Sequence, residues 1–265
     1  MNFLLRQAGA IAQAIHQLPR FPGQWRLARL VTTLAGGDLM LLRDKFGFMY
    51  FVRRGNIVSH LLLIHQCAEP EILDLLPEFS DTIIDVGCNV GTFALPASRR
   101  ARRVIAIDAN ADMCRAVEQN CALNGINNVT VVHAAISQSD AETISFHRAR
   151  AESSISSLRK EHVEQYDAYD TIEVPNRRLD DLIRELGIER VEALKIDAEG
   201  VSGGIIASLG EDAAKVAAII AEPSDDLESE AARRVLVAYE LTRPLAEHMA
   251  LAVHTRETIV ARRQT

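Results

Sequence analysis

Two short stretches of the 265-residue chain carry the residue types from which a reaction site is built. In TIIDVGCNVGTFALPA (82–97) an apolar run ends in Asp85, followed by two glycines spaced G-x-x-x-G, Gly87 and Gly91. A strand-to-helix turn of this kind gathers free backbone N–H groups at the positive end of a helix. Glycine in such a turn lets a ligand come close to the main chain. In LKIDAEG (194–200) Lys195, Asp197 and Glu199 alternate at period two, so three ionisable side chains can share one orientation at a strand end. An amine and two carboxylates placed together are suited to holding a polar acceptor and taking a proton from it.

The glycine turn points to a class of ligand. Dinucleotide sites use such a turn for a pyrophosphate, but here Asp85 stands immediately before it and would repel a diphosphate. A ligand with no phosphate and with a positive centre removes the conflict. S-adenosylmethionine, an adenosine joined to an amino-acid tail through a sulfonium, is such a ligand. Asp108 ends the next apolar run, RVIAID, seventeen positions after Gly91, where an acid can accept both ribose hydroxyls. The same acid would suit the ribose of NAD equally well, so NAD stays a rival ligand at this point.

The elements that must position these residues follow from periodicity. From residue 82, short apolar runs (TIIDV, RVIAID, VTVVHAAI, EALKID, AAIIAE) alternate with helical patterns (TFALPASRRA, ADMCRAVEQNCALNG, GIIASLG). That alternation predicts a mostly parallel sheet with helices on both faces. Between them, residues 138–170 read as an irregular polar stretch, with SSISSL (153–158) a polar loop. AARRVLVAYEL reads as helix, and HMALAVH with ETIVARR as a terminal hairpin. Ahead of the sheet, residues 2–17 and QWRLARLVTTLA read as amphipathic helices broken by LPRFPG. Asp38 to Ile64 reads as a small hairpin or meander, and CAEPEILDLLPEF as a helix opened by Pro70. The organisation expected is an N-terminal cap of helices and hairpin (1–66) on a catalytic domain (67–265).

Composition narrows the function classes. Apolar residues make up 48% and charged residues 25%, as in soluble globular domains. The net charge of −7 argues against a nucleic-acid partner. Residues 1–37 carry +4 and the remainder −11, so the basic N-terminal helices are the one place suited to a membrane surface or an acidic partner. A base-methylating N/D-P-P-Y/F strand end and a Pro-Cys nucleophile are both missing from the sequence. Cys67, Cys88, Cys114 and Cys121 form no C-x-x-C pair and no metal-ligand spacing with histidine, so no metal is expected and the thiols fit a reducing cytoplasm. Arg6, Gln7 and Gln13 break any signal-peptide core, and no run approaches a membrane span.

Taken together, these residues resemble the FkbM family of class I methyltransferases over roughly residues 67–222. The resemblance rests on Glu69-Pro70, DVGCNVG (85–91), IDAN around Asp108, CALNGINNVTVVHAAIS (121–137), RRLDDLI (177–183) and above all LKIDAEG. It implies a doubly wound, Rossmann-like sheet of seven mostly parallel strands, the last antiparallel, with S-adenosylmethionine as cofactor. The matching positions imply cofactor contacts from Asp85, Gly87, Asn89, Gly91, Asp108, Ala109, Asn110 and Ala135. The family's members are similar to O-methyltransferases, so the acceptor expected is a hydroxyl of a sugar, glycolipid, polyketide or similar small molecule. Asp197 then serves as base or acceptor orienter, Lys195 tunes its charge, and Glu199 and Glu222 shape the polar rim. Where the family carries a second glutamate this chain has Ser202, followed by Gly203 and Gly204. A catalytically degenerate cofactor-binding module and an NAD(P) oxidoreductase are the alternatives. The sequence does not fix the oligomeric state.

Overall fold

In the computed structural model, which describes residues 26, 38–65, 70–74, 76, 79–222, 224–246 and 249–254, the apolar runs of mid-chain form a doubly wound sheet. The chain opens with a hairpin, β1 (Leu39–Arg43) and β2 (Met49–Arg53), and two helices, α1 (Ile57–His65) and α2 (Pro70–Leu73). Then come β3 (Ser80–Val86), α3 (Ala94–Ala97), β4 (Ala101–Asp108), α4 (Ala111–Leu123) and β5 (Val129–His133). Next are β6 (Ala135–Ile136), β7 (Thr143–Ala149), α5 (Lys160–Glu164), β8 (Tyr169–Arg177), α6 (Leu179–Glu185), β9 (Ala193–Ile196) and α7 (Ser202–Ala207). The described chain closes with β10 (Ala218–Ala221), α8 (Glu230–Leu236), β11 (Tyr239–Ala246) and β12 (Met249–His254).

The central sheet has the order β11–β12–β10–β9–β3–β4–β5. Its middle is five parallel strands, β5, β4, β3, β9 and β10, and β12 lies antiparallel to both β10 and β11. Strand β3 is buried on both faces, hence its unbroken apolar run. One face carries the core of the hairpin, α1, α3 and α4, around Tyr50, Leu62, Phe93 and Val117. The other carries α6, α7 and α8, around Leu179, Ile183, Ile205 and Val235. The hairpin is fastened to α4 by two asparagines. Asn124 accepts from Met49 N at 2.8 Å and donates to Met49 O at 2.7 Å. Fully buried Asn120 accepts from Phe51 N at 2.8 Å and donates to Val90 O at 2.9 Å, which ties the hairpin to the glycine turn.

Several expectations need correction. The segment after the hairpin, IVSHLLLIH, is helix α1, since a short apolar run does not by itself separate strand from helix. VTVVHAAI is broken at Ala134 into β5 and β6, which belong to different sheets. The stretch read as irregular holds β7, α5 and the start of β8, and β6–β8–β7 form a second, three-stranded sheet. AARRVLVAYEL is helix only to Leu236; from Tyr239 it is β11, which pairs antiparallel with β12. ETIVARR, Cys67 and the two N-terminal helical segments, apart from Arg26 in a helix, lie outside the described residues. Among the described residues no helix is long and apolar enough to cross a membrane.

The glycine pair opening α7 has two different reasons. A Cβ on Gly203 would lie 2.2 Å from Asp226 O and 2.3 Å from Asp226 C, whereas one on Gly204 would meet only Asp226 Oδ2, at 3.6 Å. The Asp226 carboxylate accepts both amides, from Gly203 N at 2.8 Å and Gly204 N at 2.7 Å, and so caps the helix. Gly203→Ala is therefore expected to destabilise the fold by about 1–3 kcal/mol through forced backbone displacement. Gly204→Ala should be neutral or stabilising by up to about 1 kcal/mol through helix propensity. Urea unfolding of the two variants checks the contrast, and equal losses would contradict it.

Candidate active site

Three strand ends converge at the glycine turn. Gly87 N and Cys88 N both donate to Ile107 O, at 2.9 and 3.1 Å, which locks the turn onto the end of β4. Gly87 has φ +80°, and a Cβ there would sit 1.9 Å from the carbonyl oxygen of Asp197. The glycine is thus demanded by the main chain leaving β9, a need the sequence argument about ligand approach did not foresee. Gly91, φ +87°, faces Leu95 instead, 2.5 Å from where a Cβ would stand. Asn89 takes a left-handed conformation, φ +48°, one that asparagine tolerates better than most residues.

Asp108 is held by the turn it faces. Its Oδ2 accepts from Asn89 N at 2.9 Å and its Oδ1 from Asn110 N at 2.8 Å. Burial pushes its carboxyl up to about 6, against the pull of those two backbone hydrogen bonds. Each oxygen spends one acceptor site on the backbone and keeps capacity for a hydroxyl donor. Asn110 caps α4, accepting from Asp112 N at 3.0 Å.

On the neighbouring strand the charges form a chain. Asp85 and Lys195 are in register across β3 and β9, and both are buried. Lys195 Nζ lies 3.1 Å from Asp197 Oδ2 and 3.6 Å from Asp85 Oδ1, and 5.5 Å from the Phe93 ring centre. Burial raises the Asp85 carboxyl to about 6, with Lys195 opposing. Two residues beyond Asp197, the Glu199 carboxyl is pushed up to about 7, first by burial, then by the like charges of Glu222 and Asp197. Its Oε2 stands 3.2 Å from His162 Nε2, and its backbone carbonyl accepts from Ser157 Oγ at 2.6 Å. The two acids differ in kind: Asp197 is neutralised by an ammonium, while Glu199 is crowded by carboxylates.

These residues border a cavity of about 230 Å³. Gly87, Asn89, Asp108, Ala109 and Ala135 line it, and so do Asp197 and Glu199 from the end of β9. Asp85, Gly91, Asn110 and Lys195 are absent from the wall and act from behind it. The sequence reading missed Phe146 and His162, and it took Ser153–Leu158 for a loose loop. That segment forms a wall instead, pinned where His147 and Ser157 exchange backbone hydrogen bonds of 2.9 and 3.1 Å. Its polarity was visible, but its anchoring is tertiary. Among the described residues no group of three or more His, Cys, Asp or Glu side chains could hold a metal ion.

Comparison with known proteins gives the chemistry. The methyltransferase FkbM domain profile matches residues 85–249, more than half of the chain. The chain belongs to the FkbM methyltransferase family. A curated relative from Marinomonas posidonica, the 23S rRNA (uracil(1939)-C(5))-methyltransferase RlmD, is 37% identical over 101 residues, 38% of this chain and 22% of that protein. The enzyme of the same name from Hahella chejuensis is 43% identical over 55 residues, 21% of this chain and 12% of that protein. The chain thus spans about a fifth or less of the length of these relatives. Among solved structures, an FkbM methyltransferase from Methylobacillus flagellatus matches with TM-score 0.46 and 14% identity, over 74% of this chain and 52% of that one. A Pyrococcus abyssi tRNA (uracil-54, C5)-methyltransferase in complex with S-adenosyl-L-homocysteine matches with TM-score 0.46 and 12% identity, over 82% and 44%.

The chain takes its methyl group from S-adenosylmethionine. The cavity fits that cofactor on its own evidence: the buried amide oxygen of Asn89 has no hydrogen-bond partner within the protein, and Asp108 beside it retains acceptor capacity. One expectation is overturned. The exclusion of nucleic acid as a partner does not stand, because the curated relatives are by name methyltransferases of 23S rRNA. It rested on net charge, a sum over the whole chain that does not set the field at any one face.

Asp108→Ala is expected to weaken S-adenosylhomocysteine binding by at least about tenfold to a hundredfold, since even one hydrogen bond to a charged group contributes about 1.5–3 kcal/mol. In the unaltered protein affinity should fall as pH drops through about 6, because protonation removes the acceptor that ligand hydroxyls need. The fall is at most about tenfold per pH unit. Calorimetric titration between about pH 5 and about pH 8 checks both, and a pH-independent Kd counts against Asp108 as the sugar-holding group.

Proposed function

We propose that this methyltransferase acts on a hydroxyl oxygen, of a sugar, glycolipid, polyketide or similarly hydroxylated acceptor. The observation that carries the reading is the pair of carboxylates, Asp197 and Glu199, lining the same cavity as Asp108. When bound, the cofactor supplies a methyl group on a sulfonium, already activated for displacement. The chain's own tasks are to orient the acceptor oxygen, exclude water and receive its proton. Asp197, fixed by Lys195, is placed to accept a hydrogen bond from the acceptor and orient it. Asn89 and Asp108 hold the nucleoside end. Ile57, from the part read as an N-terminal cap (1–66), lines the same cavity, so the cap contributes to the acceptor side of the catalytic part (67–265).

Methylation at a uracil C5, as the names of the rRNA relatives would suggest, needs a thiolate to add to the neighbouring ring carbon. None of the described cysteines lines the cavity. Burial pushes the Cys114 thiol up to about 12 and the Cys121 thiol up to about 11, and it raises Cys88 as well, so none of these is an activated nucleophile. Hydroxylated nucleic acid stays within reach of the proposed chemistry.

The test supplies methyl-labelled S-adenosylmethionine with three acceptors: a hydroxylated glycolipid, a macrolide and an unmodified 23S rRNA fragment. Label recovered as a methyl ether is the expected result. Label recovered only on a base carbon of the rRNA would overturn the assignment.

A further inference from the structure

Glu199 has a neighbour that methyl transfer by itself does not call for. His162, on α5, brings Nε2 to 3.2 Å from Glu199 Oε2; Nε2 itself is buried and not yet aligned in a hydrogen bond, while about a quarter of each side chain (25% and 24%) is exposed. Helix α5 arrives there because Ser157 Oγ binds the Glu199 carbonyl and accepts from Arg159 N at 2.9 Å, so one hydroxyl joins the start of α5 to the chain after β9. A carboxylate in the wall and an imidazole behind it make a two-step path from cavity to solvent.

The choice of proton acceptor follows from the charges that face each acid. Asp197 is held at 3.1 Å by the ammonium of Lys195, and protonating it would break that contact. Glu199 is faced by Glu222 from the end of β10, by Asp197 from the end of β9 and by His162 from α5. Arg159 lies beyond, lowering the His162 pKa together with burial and reaching Gly200 O at 3.5 Å and Asp225 at 3.9 Å. A proton arriving on Glu199 relieves carboxylate crowding, whereas one arriving on Asp197 costs an ion pair. A neutral His162 can then take the proton on.

We propose that Glu199 receives the acceptor hydroxyl's proton during methyl transfer and that His162 passes it to solvent. This rests on the hydroxyl reading above. As the acceptor oxygen bonds to the methyl carbon, the carbon–sulfur bond breaks and its electron pair stays on sulfur. The hydroxyl proton moves to the Glu199 carboxylate and then to His162 Nε2, the ring releases the proton on its other nitrogen, Nδ1, to solvent, and Glu199 returns to its ionised form.

The experiment measures kcat, KM and their pH dependence on the hydroxylated acceptor identified by the labelling assay. For the unaltered enzyme kcat should fall about tenfold per pH unit below about 7, where Glu199 is protonated. Glu199→Gln should lower kcat about a hundredfold or more with little change in KM or cofactor affinity. A carboxyl whose folded pKa lies above its unfolded one loses stability as pH rises through the folded value. Glu199→Gln should therefore melt at or above the unaltered protein's temperature in alkaline buffer, which separates lost chemistry from misfolding. His162→Gln should lower kcat in a way that added imidazole rescues. Asp197→Asn, by removing a like charge, should move the acid limb to lower pH. Glu199→Gln with kcat within threefold of normal and an unmoved limb would overturn the assignment to Glu199 and leave the hydroxyl reading intact. Absence of any methyl ether with the unaltered enzyme would bring down both.

Discussion

A buried ammonium between two carboxylates is the interaction on which the site depends. Lys195 is almost fully removed from water, and an unpaired ammonium there would cost several kcal/mol. It is tolerable because β3 and β9 are in register, Asp85 opposite Lys195, and because Asp197 lies two residues farther on the same face. That register exists in turn because Gly87 leaves room for the Asp197 carbonyl and Asp197 N donates to Val86 O at 2.9 Å. The glycine turn and Asp197 are therefore one structural unit, joined across two strands adjacent in space and more than a hundred residues apart in sequence.

The electrostatic balance of the site follows from that unit. Asp85, Asp108 and Glu199 all have carboxyls raised by burial, and one lysine stands against the cluster. A cluster of buried carboxylates set against a single ammonium is costly to keep fully ionised. The two acids after β9 sit in different surroundings: Asp197 lies 3.1 Å from the Lys195 ammonium, and Glu199 is pushed up by burial and by the like charges of Glu222 and Asp197.

How much of this was legible in the sequence varied with burial. Strands β3, β4, β9 and β10 are apolar on both faces or nearly so, and they stood out as short runs between glycines and helices. The second sheet did not, because Thr143–Ala149 buries only Phe146 and Ala149 and lacks a clean alternation. The start of β11 was hidden by the continuous apolar–basic texture from α8 into Tyr239. Asp108 and the two acids of LKIDAEG were found from strand-end position, which topology makes informative. Asp85 was found for a different reason from the one the structure gives: its side chain serves Lys195 behind the wall. His162 carried no local signal, since its pairing with Glu199 depends on where α5 docks.

The departures from the family pattern are settled by the same kind of reasoning. Ser202 and the two glycines after it would matter to catalysis if they lay in the cavity, but Ser202 is fully buried and the wall is formed by Val201 and Ile205 on either side. Gly203 is small because the main chain of Asp226 crosses it, and the acid that α7 needs at its start comes from Asp226 itself. The argument for a degenerate, merely cofactor-binding chain drew on Ser202, Gly203 and Gly204. Packing accounts for Gly203, helix capping for both glycine amides, and burial keeps Ser202 out of the cavity, so that argument loses its footing.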